Sequence, residues 1–122
     1  MLLDNFFTIS NLEITGFDVK AELLINTGHK IFEGHFPGQP VVPGVCMMQM
    51  VKEIMEQVTL KKTNLVKANE MKFLAVIDPS QNNIISTTLK YTMEENGNMN
   101  VVAVFFKGEL THFKFKGQFA FQ

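Results

Sequence analysis

The feature that most restricts the fold is a loop rich in proline and glycine that leads directly into an apolar segment. Residues 34–44 read GHFPGQPVVPG, with three prolines and three glycines in eleven positions. Proline fixes φ and removes a backbone donor, so this composition excludes both a helix interior and a central strand. The sequence therefore predicts a rigid, shaped loop at this point in the chain.

The segment that follows the loop, residues 45–58, is predicted to form a helix. Its apolar residues recur at helical spacing, and only one of its first seven residues is polar. Pro43 suits a place just before or at the helix start, where a missing N–H has no consequence. The first half of the helix is apolar nearly all round, which is typical of a buried helix. Lys52, Glu53 and Glu56 fall on the opposite side, so we expect the second half to be amphipathic.

Strand-like alternation surrounds the predicted helix. Residues 11–26 alternate around a turn at Gly16, which predicts a hairpin or one long bent strand. Four further strands are predicted after the helix, at residues 65–75, 83–92, 99–106 and 109–121. The Asn-Gly pair at residues 96–97 is a strong hairpin signal. One helix with an antiparallel sheet of five to six strands predicts an α+β fold in a single domain, residues 1–122.

The composition excludes several classes of protein. Eleven Lys+Arg against twelve Asp+Glu give a net charge of −1, which excludes a strongly basic nucleic-acid-binding surface over the whole protein. The single cysteine cannot form an internal disulfide. No uninterrupted apolar stretch approaches about 18 residues, so no membrane span is predicted. The first residues make a poor signal peptide, and we expect a cytoplasmic protein.

His35 is the candidate catalytic residue of the loop. An imidazole can act as a general base near neutral pH. The loop ends at a predicted helix N-terminus, whose first N–H groups have no partner inside the helix and favour an anion or a polarised carbonyl. A base beside such N–H groups can remove a proton next to a carbonyl. The alternative is a histidine that only makes structural hydrogen bonds in the loop, and the residue types alone leave both interpretations open.

The stretch HFPGQPVVPGV at residues 35–45 resembles the signature of the 3-hydroxyacyl-acyl-carrier-protein dehydratases of fatty-acid synthesis. The resemblance continues through MKFLAVIDP at residues 71–79 and VVAVFFKGELT at residues 101–111, and so covers nearly the whole chain from about residue 18. That family has the hot-dog fold, in which a curved antiparallel sheet wraps one central helix. The resemblance therefore implies a hot-dog domain whose active sites lie at a dimer interface.

The resemblance also implies roles for particular residues. His35 would remove the C2 proton of a 3-hydroxyacyl thioester, while an acidic residue on the helix of the other subunit handles the departing hydroxyl. Gln49 occupies that acidic position here, and an amide cannot transfer a proton at neutral pH. We therefore expect Gln49 to position the hydroxyl or a water, although by periodicity alone it could face solvent. The implied substrate-binding set is Phe36, Pro37, Gly38, Pro43, Gly44, Val45 and Met48.

Partners follow from the same resemblance. It implies an acyl carrier protein whose phosphopantetheine arm belongs to the substrate, and no cofactor, because an elimination needs none. One helix leaves part of a sheet uncovered, so we expect a homodimer or higher homo-oligomer. Two further hypotheses stay open. One is a hot-dog thioesterase that uses the helix N-terminus on a thioester carbonyl, although Gln49 in place of a carboxylate counts against it. The other is a partner subunit that supplies His35 to a heterodimer while a relative supplies the acid, which Gln49 favours.

The remaining reactive residues are given structural interpretations. His29 is predicted to be solvated, and His112 is predicted to be a surface or edge residue of a strand. The three histidines lack metal-ligand spacing, so no metal is predicted. Cys46 is predicted to be a buried packing thiol, because no cation nearby in sequence would lower its pKa.

Two groups of side chains have two interpretations each. The methionines at the helix start fit an acyl tunnel or a plain core equally well: Met47, Met48 and Met50. The paired lysines fit a docking surface for an acidic carrier protein or an ordinary solvated face: Lys61, Lys62, Lys114 and Lys116.

Overall fold

The computed structural model of the protein describes residues 1–34 and 38–122, so the candidate residues His35, Phe36 and Pro37 lie outside the described residues. Over the described ranges the chain forms two helices and six strands. In chain order they are β1 (Phe7–Thr15), β2 (Asp18–Ile25), α1 (Ile31–Gly34), α2 (Gly44–Thr59), β3 (Thr63–Phe73), β4 (Ile84–Met93), β5 (Met99–Lys107) and β6 (Leu110–Phe121).

The six strands of the described ranges form one antiparallel sheet in the order β1-β2-β4-β5-β6-β3, with β1 and β3 at its edges. Gly16 turns the chain between β1 and β2 with φ 62°, and Gly97 turns it between β4 and β5 with φ 88°. Both are left-handed conformations that glycine adopts at little energetic cost. The predicted hairpins are therefore confirmed, and the first is a true hairpin rather than one bent strand.

Alternating burial shows which face of the sheet meets the helix. In β2, β4 and β5 every second side chain is buried, and the intervening ones are exposed or half-buried. The buried set joins the apolar side of α2 in one core that contains Leu23, Ile54, Ile85, Phe105, Phe115 and Phe119. The predicted α+β arrangement, one long helix against a six-stranded antiparallel sheet, is confirmed.

Helix α2 begins and ends where the sequence predicted, within one residue. Pro43 is the N-cap, with φ −63° and ψ 146°, and Leu60 closes the other end in a left-handed conformation with its N–H bonded to the Glu56 carbonyl. The short helix α1 was not predicted. Neither helix of the described ranges is both long enough and apolar enough to cross a bilayer.

The prediction of a polar outer side for the second half of α2 is wrong for two of its three residues. Glu53 is fully buried and Glu56 is only 7% exposed, while Lys52 is half-buried. Segments that are distant in sequence cover this side of the helix, namely residues 2–3 and the start of β3. Helical periodicity cannot reveal such cover, because it places residues only around their own helix.

Candidate active site

The end of the proline-glycine loop is fixed to the segment between β3 and β4 before it enters α2. The Val42 N–H donates to the Ile77 carbonyl at 3.0 Å, and Pro43 is buried. The Pro43 carbonyl accepts the first helical hydrogen bonds, from the N–H groups of residues 46 and 47 at 3.0 and 3.2 Å. The N–H groups of Gly44 and Val45 therefore precede the helical hydrogen-bonding pattern, and Val45 is 76% exposed. A helix start of this kind favours a polarised carbonyl or an anion.

Gly44 permits the close approach of this helix start to the end of β3. A Cβ atom at Gly44 would lie 2.8 Å from the ring of Phe73, which is closer than side chains tolerate. Phe73 in turn stacks on Phe113, with ring centroids 5.1 Å apart. Only glycine at position 44 leaves both the stack and the helix start undisturbed.

An apolar groove of about 350 Å³ opens beside the helix start. Its walls come from the loop end, from α2 and from the segment after β3, and they include Val42, Met47, Phe73, Leu74 and Val76. Three of these side chains, those of residues 73, 74 and 76, are more than half exposed. The groove can hold an apolar chain whose carbonyl lies near the first N–H groups of the helix.

Gln49 lies one turn further along α2, on the same side as Val45. It is half-buried, and its Nε2 donates to Oε2 of Glu53 at 2.8 Å. The Leu2 N–H lies 3.0 and 2.9 Å from Oε1 and Oε2 of Glu53, and the Leu3 N–H donates to Oε1 at 2.6 Å. Glu53 therefore holds the N-terminal segment and the Gln49 side chain in one hydrogen-bonded cluster.

Glu56 makes a second buried carboxylate cluster on the same helix. Its Oε2 accepts the Thr63 N–H at 2.7 Å and lies 3.5 Å from Nζ of Lys52. These contacts connect the last turns of α2 to the first residue of β3. They serve the fold rather than the loop, because Glu56 lies toward the end of the helix away from Val45.

The structure brings together five of the predicted site residues at the start of α2. Pro43, Gly44 and Val45 form the helix start, and Met48 and Gln49 follow one turn later on the Val45 side. Gly38 is exposed in the loop with φ 75°. The positions of the remaining three, residues 35–37, lie outside the described residues.

His112 was predicted to be a surface or edge residue, and that prediction is wrong, because β6 lies between β5 and β3 and the histidine is buried. It is only 3% exposed, and its Nδ1 lies 3.1 Å from the Ala75 carbonyl oxygen. Its Nε2 is buried and has no hydrogen-bond partner in the described part of the chain. The register of β5 and β6 shifts between Phe105 and Phe106, so the alternation in β6 breaks at this histidine.

His29 is also less exposed than predicted. It is half-buried, its Nδ1 accepts the Ile31 N–H at 3.1 Å, and its ring meets Phe6 edge-on at 5.3 Å. It therefore starts the short helix α1. Within the described residues no group of histidine, cysteine, aspartate or glutamate side chains is arranged to hold a metal ion.

The buried sulfur-containing residues of α2 mostly belong to the core. Cys46 is buried, and burial raises the pKa of its thiol, which agrees with a packing role. Met50 is fully buried among core side chains, while Met47 is buried and also borders the apolar groove. Met48 is half-buried and packs against the core. The tunnel interpretation of these methionines stays a prediction.

The predicted lysine pair of β6 extends into a larger basic surface. Lys114 lies opposite Lys72 and Lys116 lies opposite Glu70 across the β3–β6 pairing. The Lys72 ammonium lies 2.8 Å from the Glu70 carboxylate, and its hydrogen bond and charge lower the pKa of Glu70, with smaller contributions from Lys116 and Lys114. Glu70 offsets one of the three positive charges of Lys72, Lys114 and Lys116, so this basic surface keeps a net positive charge.

One protein-family model and several curated proteins match this chain. The ApeI-like family, described as ApeI dehydratase, matches residues 12–106. The 3-hydroxyacyl-[acyl-carrier-protein] dehydratase FabZ of Mannheimia succiniciproducens is 35% identical over 63 residues, which are 52% of this chain and 41% of that protein. The FabZ of Haemophilus influenzae strain Rd is 33% identical over 63 residues, 52% of this chain and 42% of that protein. The chain thus spans less than half the length of these curated relatives.

Solved structures show the same fold at low identity. "The Dehydratase Heterocomplex ApeI:P from Xenorhabdus doucetiae" aligns with a TM-score of 0.73 at 18% identity, over 93% of this chain and 97% of the other. A conserved protein of Pseudomonas aeruginosa aligns with a TM-score of 0.63 at 11% identity, over 92% of this chain and 89% of the other. These two matches establish the hot-dog fold. Because the family match extends over residues 12–106, the chain belongs to the ApeI-like dehydratase family, which confirms the resemblance to the 3-hydroxyacyl-acyl-carrier-protein dehydratases.

Proposed function

We propose that the protein dehydrates a 3-hydroxyacyl thioester, carried on an acyl carrier protein, to the trans-2-enoyl thioester. The observation that carries this proposal is the dehydratase family match over residues 12–106, which contains the whole loop and all of α2. His35 is the base in this proposal, and the first N–H groups of α2 polarise the thioester carbonyl. The apolar groove beside them supports it by offering room for an acyl chain.

The spacing along α2 suits such a substrate. Val45 and Gln49 are four residues apart, so they share a side of the helix and lie about 6 Å apart along its axis. The thioester carbonyl carbon and the hydroxyl-bearing carbon of the substrate are only two bonds apart. Side chains on a helix lean toward its N-terminus, so the Gln49 amide can reach back toward Val45 and shorten this separation. One bound substrate can then place its carbonyl at the Val45 N–H and its hydroxyl at the Gln49 amide.

The elimination requires three coupled changes at the substrate. His35 takes the proton from C2, the electron pair of that C–H bond becomes the C2–C3 double bond, and the C3–O bond breaks. The departing hydroxide needs a proton to leave as water, and the Gln49 amide has none to give. In a self-sufficient enzyme the His35 imidazolium returns the proton it has just taken, so base and acid are one residue.

A second candidate function is that of a partner subunit in a heteromeric dehydratase. Gln49 favours it, because the amide is engaged with Glu53 and leaves the departing hydroxide without an acid at this position. The similar Xenorhabdus structure is titled as a heterocomplex. In this version the protein contributes His35 while a homologous subunit contributes a carboxyl group.

The edge strand β3 supports an assembly of two chains in either case. Apolar side chains that are 40% or more exposed follow this strand and the segment after it: Leu65, Val66, Met71, Phe73, Leu74 and Val76. A long apolar edge strand is a liability unless another chain covers it. We infer that a second copy or a homologous chain covers β3. The basic surface around Lys114 and Lys116 suits the acidic carrier protein of this proposal.

Activity of the purified protein separates the two candidates. The wild type and His35→Ala would be incubated with a 3-hydroxyacyl thioester, and formation of the conjugated enoyl thioester would be followed by its ultraviolet absorbance. Turnover by the wild type that falls by about 10²–10⁴-fold in His35→Ala, with unchanged thermal unfolding, supports the self-sufficient enzyme. Turnover that appears only after a homologous subunit is added supports the second candidate. Activity retained by folded His35→Ala would refute both.

A further inference from the structure

Glu53 is the only fully buried carboxylate of α2, and no step of the proposed reaction uses it. Its exposed fraction is 0%, and its hydrogen-bond donors are the Leu2 and Leu3 N–H groups and the Gln49 amide. Backbone N–H groups can only donate, so both Glu53 oxygens act as acceptors in this cluster. A group that must accept imposes an orientation on any neighbour that can either donate or accept.

Gln49 is such a neighbour, because a side-chain amide has a donor end and an acceptor end. Glu53 Oε2 is 2.8 Å from Nε2 of Gln49, so the donor end is turned toward Glu53. The opposite orientation would bring Oε1 of Gln49 against a carboxylate oxygen, with no proton between them. Since the two ends of an amide diverge from one carbon atom, Oε1 is turned away from Glu53. Gln49 is half-buried, not fully buried, and it lies on the same side of α2 as the exposed Val45.

We propose that Glu53 is a positioning residue that fixes the Gln49 amide so that its carbonyl oxygen, a pure acceptor, faces the substrate and selects a 3-hydroxyl group. This inference rests on the proposed function, since it places the C3 group of an acyl thioester beside Gln49. A 3-hydroxyl group donates to the Gln49 oxygen. A 3-oxo group has only acceptor lone pairs, so it would face that oxygen without a proton and be rejected. The site thereby distinguishes the substrate from the ketone one oxidation step above it.

The variant Glu53→Gln should turn the Gln49 amide over. Leu3 donates to Oε1 of Glu53, and Leu2 donates at similar distances to both oxygens, so the oxygen of the introduced amide takes the Oε1 place. Its NH₂ group then takes the Oε2 place and faces Gln49. Two NH₂ groups cannot hydrogen-bond to each other, so Gln49 must present its oxygen to the new amide and its NH₂ to the substrate. The preference for a 3-hydroxyl group over a 3-oxo group should then disappear or reverse.

The experiment measures binding of two matched ligands, the 3-hydroxyacyl and 3-oxoacyl pantetheine amides of one chain length. The amide linkage replaces the reactive thioester, so elimination does not disturb the equilibrium. The wild-type oligomer and Glu53→Gln would be titrated with each ligand by calorimetry. We expect the wild type to bind the 3-hydroxyacyl amide roughly tenfold more tightly, and Glu53→Gln to lose or invert that ratio. A purely structural Glu53 would change both affinities together and leave the ratio unchanged.

Gln49→Leu provides a second variant that keeps Glu53 and its backbone contacts. It removes the acceptor and should also abolish the tenfold preference. If Glu53→Gln does not fold, the ratio of the two ligand affinities in Gln49→Leu is the measurement that tests the proposal. A wild type without preference, or a preference that survives in folded variants, would overturn the positioning role while leaving acyl binding in place. Failure of the wild type to bind either ligand would overturn the proposed function itself and this inference with it.

Discussion

Gln49→Glu places a second carboxyl group against the buried Glu53. The Nε2–Oε2 distance of 2.8 Å becomes an oxygen–oxygen distance, with the two charge centres about 4 Å apart. Two unit charges at that separation repel by about 4 kcal/mol at an effective dielectric constant near 20. The pair avoids this repulsion by keeping one proton between its oxygens, as coupled carboxylates do. We therefore expect the variant to hold a protonated carboxyl group at a pH where glutamic acid is ordinarily ionised.

This retained proton has two measurable consequences. A protonated carboxyl group at position 49 is a general acid for the departing hydroxyl, so dehydration by Gln49→Glu should exceed that of the wild type near neutral pH. The shared proton also raises the pKa of the introduced carboxyl above its value in the unfolded chain, roughly 4.3. Gln49→Glu should therefore be as stable as the wild type below about pH 4.3, and it should lose stability as the pH rises through the raised pKa. The loss is at most about 4 kcal/mol, or on the order of 10 °C in the unfolding midpoint.

The assays are thermal unfolding between pH 4 and 9 and steady-state dehydration over the same range. Gln57→Glu is the matched control, because it makes the same change at an exposed position of α2 and should unfold as the wild type does. The double variant Gln49→Glu/Glu53→Gln restores a single carboxyl group and should recover stability at high pH. A Gln49→Glu stability curve parallel to that of the wild type would refute the contact on which this reasoning rests.

Three further outcomes follow from the structure. Gly117→Ala should lower the free energy of unfolding by about 1–3 kcal/mol, because its Cβ would overlap the Lys67 carbonyl oxygen. The control Gly34→Ala has open space around the new Cβ and should unfold like the wild type. Chemical denaturation of both variants measures this, and equal midpoints would contradict the packing. Cys46 should react slowly with iodoacetamide until urea unfolds the protein, because burial raises the pKa of its thiol and blocks access of the reagent. Mass spectrometry after brief labelling in buffer checks this, and a modified thiol in the folded protein would contradict it. Light scattering should give at least twice the 13.8 kDa chain mass, and a stable monomer would contradict both the covered β3 edge and a shared active site.

The sequence was sufficient where local chemistry decides the structure. An Asn-Gly pair specifies its hairpin by itself, and Pro43 marks the helix start because its missing N–H excludes it from the helix interior. It was insufficient where distant backbone decides. Glu53 receives its donors from Leu2 and Leu3, about fifty positions earlier, and backbone N–H groups carry no residue-specific signal. His112 was misplaced because a register shift between β5 and β6 interrupts the alternation on which the prediction depended.

The Gln49–Glu53 spacing was nevertheless visible in the sequence. Residues four apart on a helix are neighbours, and a glutamine that precedes a glutamate by four positions can donate to it. What the sequence did not reveal was that Glu53 is buried, which turns an ordinary surface pair into a constraint. On a solvated face the amide would rotate freely and either of its ends could meet a substrate.

Gln49 and the buried Glu53 one turn later are therefore best understood as a single feature. The resemblance to the dehydratases implies that Gln49 stands at a position that is acidic in that family. Glu53 needs a third donor beside the Leu2 and Leu3 N–H groups, and Gln49 supplies it. An ionised carboxylate at position 49 would meet the buried Glu53 as a like charge, so a carboxyl group at this position would instead hold a proton. The amide at position 49 is compatible with Glu53 at every pH, and it exchanges the capacity to deliver a proton for a fixed acceptor orientation. In the proposed dehydration, the proton for the departing hydroxide then comes from His35 or from a carboxyl group of a second subunit, and the activity of the purified chain distinguishes these two sources.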